Sequence, residues 1–168
     1  MPFITTHNTI EKTGSISGIG MHSGQSCTLT ASPSKTEGIT FTLKNKTLTV
    51  HPDHCSAEHN RATCLTQENL SINTPEHLLS ACAALGLTHL NIHLDNPEIP
   101  ILDGSAKPFI DWLKSLIIYP LKTKNPPIII TAPIIVTEKD KAVLALPCNT
   151  PSFSYIYTTD HPLIQTQC

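Results

Sequence analysis

Two short amphipathic stretches, 75–85 and 106–118, flank an alternating segment, Leu90-Asn91-Ile92-His93-Leu94, and no other feature constrains the fold as tightly. In the first stretch Leu78, Cys82 and Leu85 fall on one side of a helix, and Leu79 and Ala81 widen the stripe. Thr74 is placed to cap it, Pro75 takes the favoured first position, and Gly86 ends it. In the second, Phe109, Trp112, Leu113, Leu116 and Ile117 recur at helical spacing until Pro120. Each helix presents an apolar stripe, and the alternating strand between them supplies a sheet face for it to cover.

The residues before the first helix read as strands and turns. Segments 27–31 and 39–43 alternate with period two, the second placing Ile39, Phe41 and Leu43 on one face, and 48–50 is a weaker strand. Gly14, Gly18, Gly20 and Gly24 mark positions of positive φ or tight turning. The order of elements predicts an α+β fold, a two-layer domain of sheet and helix over 1–121. Lys122-Thr-Lys-Asn-Pro-Pro127 reads as a linker. Beyond it, 142–146, a proline-marked turn and 153–157 repeat the strand–turn–strand pattern of 27–43. Residues 128–168 are therefore expected to begin a second, similar α+β domain that stays incomplete. Its apolar side chains, Phe153, Tyr155 and Tyr157 among them, then have no helix to pack on.

Composition excludes several classes of function. Charged residues are 14% of the chain against about 25% in an ordinary soluble domain. Arg61 is the one arginine, and the lysines are scattered, so there is no basic face for nucleic acid. The greasiest stretch, 128–136, falls short of the ~18 apolar residues of a spanning helix. The opening residues lack a secretory leader, which makes the cytoplasm the expected compartment. Six cysteines without any C-x-x-C are then expected to be free thiols.

Nine histidines direct attention to proton transfer and metal binding. Glu76 and His77 sit side by side in the first turn of the first helix. There the backbone dipole favours an ionised carboxylate and a neutral imidazole, the states wanted of a general base and a metal ligand. A plainer reading is an acidic residue of the kind common in first turns beside a packing histidine. His51, His54, Cys55 and His59 cluster without matching a standard zinc spacing. His89 and His93 are expected on the outer, solvated face of their strand, about 13 Å apart. His22 lies in a glycine-rich turn that suits either a ligand or a plain hairpin. His161 has no helical partner residue. A catalytic zinc needs three protein ligands as a rule, and Glu76-His77 has no chelating partner at helical spacing in the chain.

Three segments taken together are far more specific. SGIGMHSG (17–24), TPEHLLSACAALGL (74–87) and NPEIPILDGSAKPF (96–109) resemble, in order and spacing, the family of UDP-3-O-acyl-N-acetylglucosamine deacetylases, zinc amidases of lipid A synthesis. Pro75 departs from the valine more usual before the Glu-His pair. The resemblance implies two similar α+β domains with their helices between the sheets and the site in the cleft. It implies Zn as cofactor and a UDP-linked acylated amino sugar as substrate, with transient access of the product to a membrane surface. It makes Glu76 the general base, His77 a zinc ligand, and His22 a substrate-side residue.

The family's second metal motif, a His-x-x-x-Asp helix, and its general-acid histidine have no counterpart in these 168 residues. The chain accordingly reads as the N-terminal part of such an enzyme, inactive by itself. The alternative is a non-catalytic nucleotide-sugar or protein-binding module that keeps only the first domain.

Overall fold

The computed structural model describes residues 7–56, 62–122, 129–150, 152–164 and 166–167. Arg61, His59, Cys168 and, from Thr123 on, the expected linker lie outside them. The architecture is α+β, and the chain divides into two compact units, within 6–125 and within 126–168.

In the first unit, β2 (Gly14–Ile19), β3 (Ser26–Pro33), β4 (Gly38–Leu43), β5 (Lys46–Thr49) and β8 (His89–Leu94) form one sheet in the order β2-β3-β8-β4-β5. β4 and β8 are parallel, and the other neighbours are antiparallel. A parallel pair requires a long crossover. Here it contains β5, a 3-10 turn at Pro52–His54, the hairpin of β6 (Cys64–Gln67) and β7 (Leu70–Asn73), and helix α1 (Glu76–Ala84). Helix α2 (Lys107–Ser115) packs beside α1. A small pair closes the unit: β1 (Asn8–Ile10) against β9 (Ile118–Pro120).

The period-two pattern decides which sheet face is covered. Cys27, Leu29 and Ala31 of β3, Phe41 of β4 and Leu90, Ile92 and Leu94 of β8 are buried in one cluster with Leu78, Ala81 and Cys82 of α1 and Phe109, Trp112 and Leu113 of α2. The other face is polar, with hydroxyl pairs Ser15–Thr30 and Ser17–Thr28 across β2 and β3 at 2.9 and 3.0 Å. Cys27, Cys64 and Cys82 are buried, Cys55 and Cys148 exposed, and all five are free thiols. No helix among the described residues is long and apolar enough to cross a membrane.

Helix α1 ends as expected. Gly86 takes φ 61, and the amides of Gly86 and Leu87 return to the carbonyls of Ala83 and Cys82, a Schellman closure. Its start differs from expectation. Thr74 gives no side-chain cap; the cap position is Pro75, and Thr74 is left-handed at φ 57. The second helix is also shorter than its apolar spacing suggests. Ile117 turns left-handed at φ 61, and Ile118 leaves to pair with Ile10 of β1, so tertiary pairing and not Pro120 ends it.

Of the four opening glycines only Gly24 needs positive φ, at 64°. Gly14, Gly18 and Gly20 are required by close approach: a β-carbon there would meet Leu116, Pro100 with Leu102, and Glu98 respectively. His89 is a further correction. It is 7% exposed, and its Nδ1 lies 2.9 Å from the Thr88 hydroxyl, which also contacts His7 Nδ1 at 3.0 Å. Of the two histidines in that strand, His93 alone is exposed.

In the second unit β10 (Ile134–Glu138) pairs with β11 (Lys141–Ala145) through Lys139 at φ 53. The expected partner, 153–157, is not a strand; Tyr157 makes a single bridge to Gln167. The apparent repeat of 27–43 thus fails in detail, because a local two-residue turn supplies β11 with a nearer partner. Phe153 is 99% exposed, and Tyr155 and Tyr157 are exposed as well.

Candidate active site

Glu76 and His77 are the first two residues of α1, both half-buried. The backbone leading into them is held from several sides. Asn73 donates its N–H to the Pro97 carbonyl at 2.9 Å and accepts from the Ile99 N–H at 3.0 Å. Thr74 donates to the Thr63 carbonyl at 2.9 Å. Such bonds over-determine a left-handed threonine, a conformation that costs on the order of 1–3 kcal/mol for a β-branched residue.

Three buried polar atoms in this short stretch have no hydrogen-bond partner among the described residues: Asn73 Oδ1, Thr74 Oγ1 and Glu76 Oε2. Native proteins leave few such atoms unpaired, and a cluster of them marks a place where water, an ion or a ligand completes the bonding. An acceptor-only carboxylate oxygen beside an imidazole is suited to receive a proton from a bound water.

The glycine-rich turn is joined to this region by Glu98, which composition and spacing did not single out. Glu98 is 3% exposed, and its two oxygens accept the N–H groups of His22 at 2.8 Å and Ser23 at 2.7 Å. Burial by itself raises this carboxyl. The bonds from Ser23 and the His22 amide, with the His22 imidazole nearby, outweigh burial and hold it below the usual carboxylate range. The Glu98 backbone is bridged to Asn73. His22, Ser23, Ala62, Asn73, Asn96, Pro97 and Glu98 line a cavity of about 390 Å³. Segments 17–24 and 96–109 of those singled out in the sequence therefore meet at Glu98, and the second is tied to Asn73, the residue just before the 74–87 segment.

A family model for UDP-3-O-acyl N-acetylglycosamine deacetylases (LpxC) matches residues 7–168. The chain belongs to the LpxC family. It is 33% identical to the UDP-3-O-acyl-N-acetylglucosamine deacetylase of Leptospira biflexa over 99% of its own length and 57% of that protein. The deacetylases of Thermosynechococcus vestitus and Coxiella burnetii are 30% and 36% identical, over 94% and 87% of the chain and 56% and 50% of those proteins. The chain thus spans little more than half the length of these curated relatives.

Four other histidines of this LpxC-family chain pair locally, with ring centroids 5.7 Å apart for His7 and His89 and 6.1 Å for His51 and His54. His54 Nδ1 bonds the Thr49 carbonyl at 2.7 Å, His51 Nδ1 accepts from the Asp53 N–H at 3.3 Å, and Cys55 is exposed. The fourth member of that cluster, His59, lies outside the described residues. His161 Nδ1 accepts from the Leu163 N–H at 3.2 Å in an exposed turn. Among the described residues no group of three or more His, Cys, Asp and Glu side chains is arranged to hold a metal ion.

Proposed function

We propose that this chain carries the Glu76-His77 part of a zinc-dependent deacetylase acting on the N-acetyl amide of UDP-3-O-acyl-N-acetylglucosamine in lipid A synthesis. Family membership supports the reaction class. The observation that carries the residue assignment is the buried, partnerless Glu76 Oε2 beside His77 at the head of α1.

The donor set fits zinc in part. His77 offers one imidazole nitrogen, and the described residues assemble no further ligand beside it, so the remaining ligands come from outside this set. Zinc, when bound, supplies Lewis acidity that makes a water nucleophilic near neutral pH and polarises the amide carbonyl. Glu76 takes the proton from the attacking water at its free oxygen. Both residues belong to the first turn of α1, and the hydrogen bonds through Asn73 and Thr74 hold the approach to that turn. His22 stands on the substrate side. The products are acetate and the free glucosamine nitrogen of a UDP-linked acylated sugar, made in the cytoplasm and passed to a membrane surface.

With His77 the one ligand assigned among the described residues, residues 1–168 by themselves are expected to bind zinc weakly and hydrolyse nothing. The test is zinc stoichiometry and acetate release in the intact enzyme. Glu76→Gln is expected to keep zinc and lose activity, and His77→Ala to lose both. Turnover by the 168-residue chain that Glu76→Ala abolishes would overturn the inactivity of the isolated chain. Retention of both zinc and activity in the two variants overturns the roles given to Glu76 and His77, and an unaltered intact protein that neither holds zinc nor releases acetate returns the chain to the binding-module reading.

A further inference from the structure

We infer that Glu98 is a positioning residue that fixes the His22 turn relative to the head of α1. Residues 21–24 of the turn are exposed, and turns of this kind are ordinarily mobile. Here both oxygens of a buried carboxylate are committed to it, through the adjacent N–H groups of His22 and Ser23. Burying a carboxylate for a surface turn is costly unless its oxygens are well satisfied.

The surrounding sequence is shaped to that contact. Gly20 leaves no β-carbon where Glu98 sits, and Gly18 leaves none against Pro100 and Leu102. The Ile101 N–H bonds the Ile19 carbonyl at 3.0 Å, so the two segments are tied on both sides of the carboxylate. On its other flank the Glu98 segment is tied to Asn73, the third residue before Glu76, by the Asn73–Pro97 and Ile99–Asn73 bonds. Glu98 is therefore the junction: its side chain sets His22, and its backbone sets the approach to Glu76. The cavity of about 390 Å³ is lined by His22, Asn73 and Glu98 among others, and the partnerless Asn73 Oδ1 belongs to a residue of its wall. Releasing the junction moves His22 without altering Glu76 or His77 chemically. The kinetic part of this inference rests on the deacetylase reading; the structural part does not.

The test compares Glu98→Gln with the unaltered, intact enzyme. Gln keeps the shape but replaces one acceptor oxygen with an NH₂ group, so one of the two turn amides loses its partner. Hydrogen exchange of the His22 and Ser23 amides is expected to accelerate at least tenfold, with the β8 amides unchanged. KM for the nucleotide sugar is expected to rise about tenfold while kcat stays within threefold, the pattern of lost positioning with intact chemistry. Glu98→Asp, which keeps both oxygens, is expected to recover part of the KM effect. Exchange that accelerates evenly across β2, β3 and β8, or an unchanged KM, overturns the inference. If Glu98→Gln does not fold, Gly20→Ala displaces the carboxylate without removing it, and the same two readouts apply. If the unaltered enzyme releases no acetate, the deacetylase reading fails, and the exchange of the two amides still decides the role of Glu98.

Discussion

Glu98 occupies the space that a β-carbon on Gly20 would take. The two residues are 78 positions apart, so their fit joins the glycine-rich turn to the segment that follows β8. Gly20 has no positive φ, so close approach by Glu98, together with the Ser23 hydroxyl, is the reason for glycine. Gly20→Ala is therefore expected to destabilise the protein by about 2 kcal/mol, within the range for overpacking a filled site. Chemical denaturation checks this, and Gly24→Ala, with open space but φ 64, provides a purely conformational comparison.

The Glu98 carboxyl titrates below its ordinary range, because bonds from Ser23 and His22 outweigh the burial that opposes them. A depressed carboxyl contributes stability that is fully present above its unfolded pKa, about 4.3, and is lost as pH falls through the lower folded value. Glu98→Gln is thus expected to be less stable than the unaltered protein at pH 7. The gap should close progressively below about pH 4, as the native carboxyl protonates. Urea midpoints measured from pH 7 down to pH 3 give the comparison; a gap independent of pH would contradict it.

Thr74 behaves unlike a helix cap. A capping threonine loses roughly 1 kcal/mol when its hydroxyl is removed. Here the hydroxyl is buried without a partner and the backbone is left-handed, so Thr74→Gly relieves both, offset by the loss of a buried β-carbon and methyl and by greater freedom of the unfolded chain. The expected change in unfolding free energy is between zero and about 1 kcal/mol stabilising. A loss of 1 kcal/mol or more would restore the capping role.

The Thr88 hydroxyl stands between two buried imidazoles, His7 and His89, at 3.0 and 2.9 Å. It has one hydrogen to donate and two lone pairs, so it donates to one ring at most and accepts from at least one. Thr88→Val keeps the shape and leaves both ring nitrogens without it, for an expected cost of about 2 kcal/mol. Asn8 pairs with Gly86 and Thr88 backbone groups at the same place, so the loss should also loosen β1. Thermal unfolding with exchange of the Thr9 and Ile10 amides would show it.

Burial separates the thiols as sharply. Desolvation pushes Cys82 up to about 12 and, with smaller opposing contributions, Cys27 to about 11. Alkylation of the native protein at pH 8 is expected to label Cys55 and Cys148 first and to leave Cys27 and Cys82 unmodified until unfolding, as peptide mass spectrometry would show.

Local pattern was enough to find β3, β4, β8, α1 and α2, because period two and period 3.6 are properties of neighbours in the chain. It also placed Glu76 and His77 together in a first turn, and Gly86 at the end of α1. It misplaced the end of α2 and the surroundings of His89, since both depend on β1, which arrives from the far end of the unit.

The amino-acid order alone determined the α+β class, the buried sheet face and the adjacency of a carboxylate and an imidazole. Tertiary structure decided the rest: that β4 and β8 lie side by side, that Thr74 is strained, and that Glu98 holds the His22 turn. The reason is one of range. Hydrophobic alternation is written every few residues, whereas a carboxylate finds two backbone N–H groups 75 and 76 positions away only after the core has closed between them.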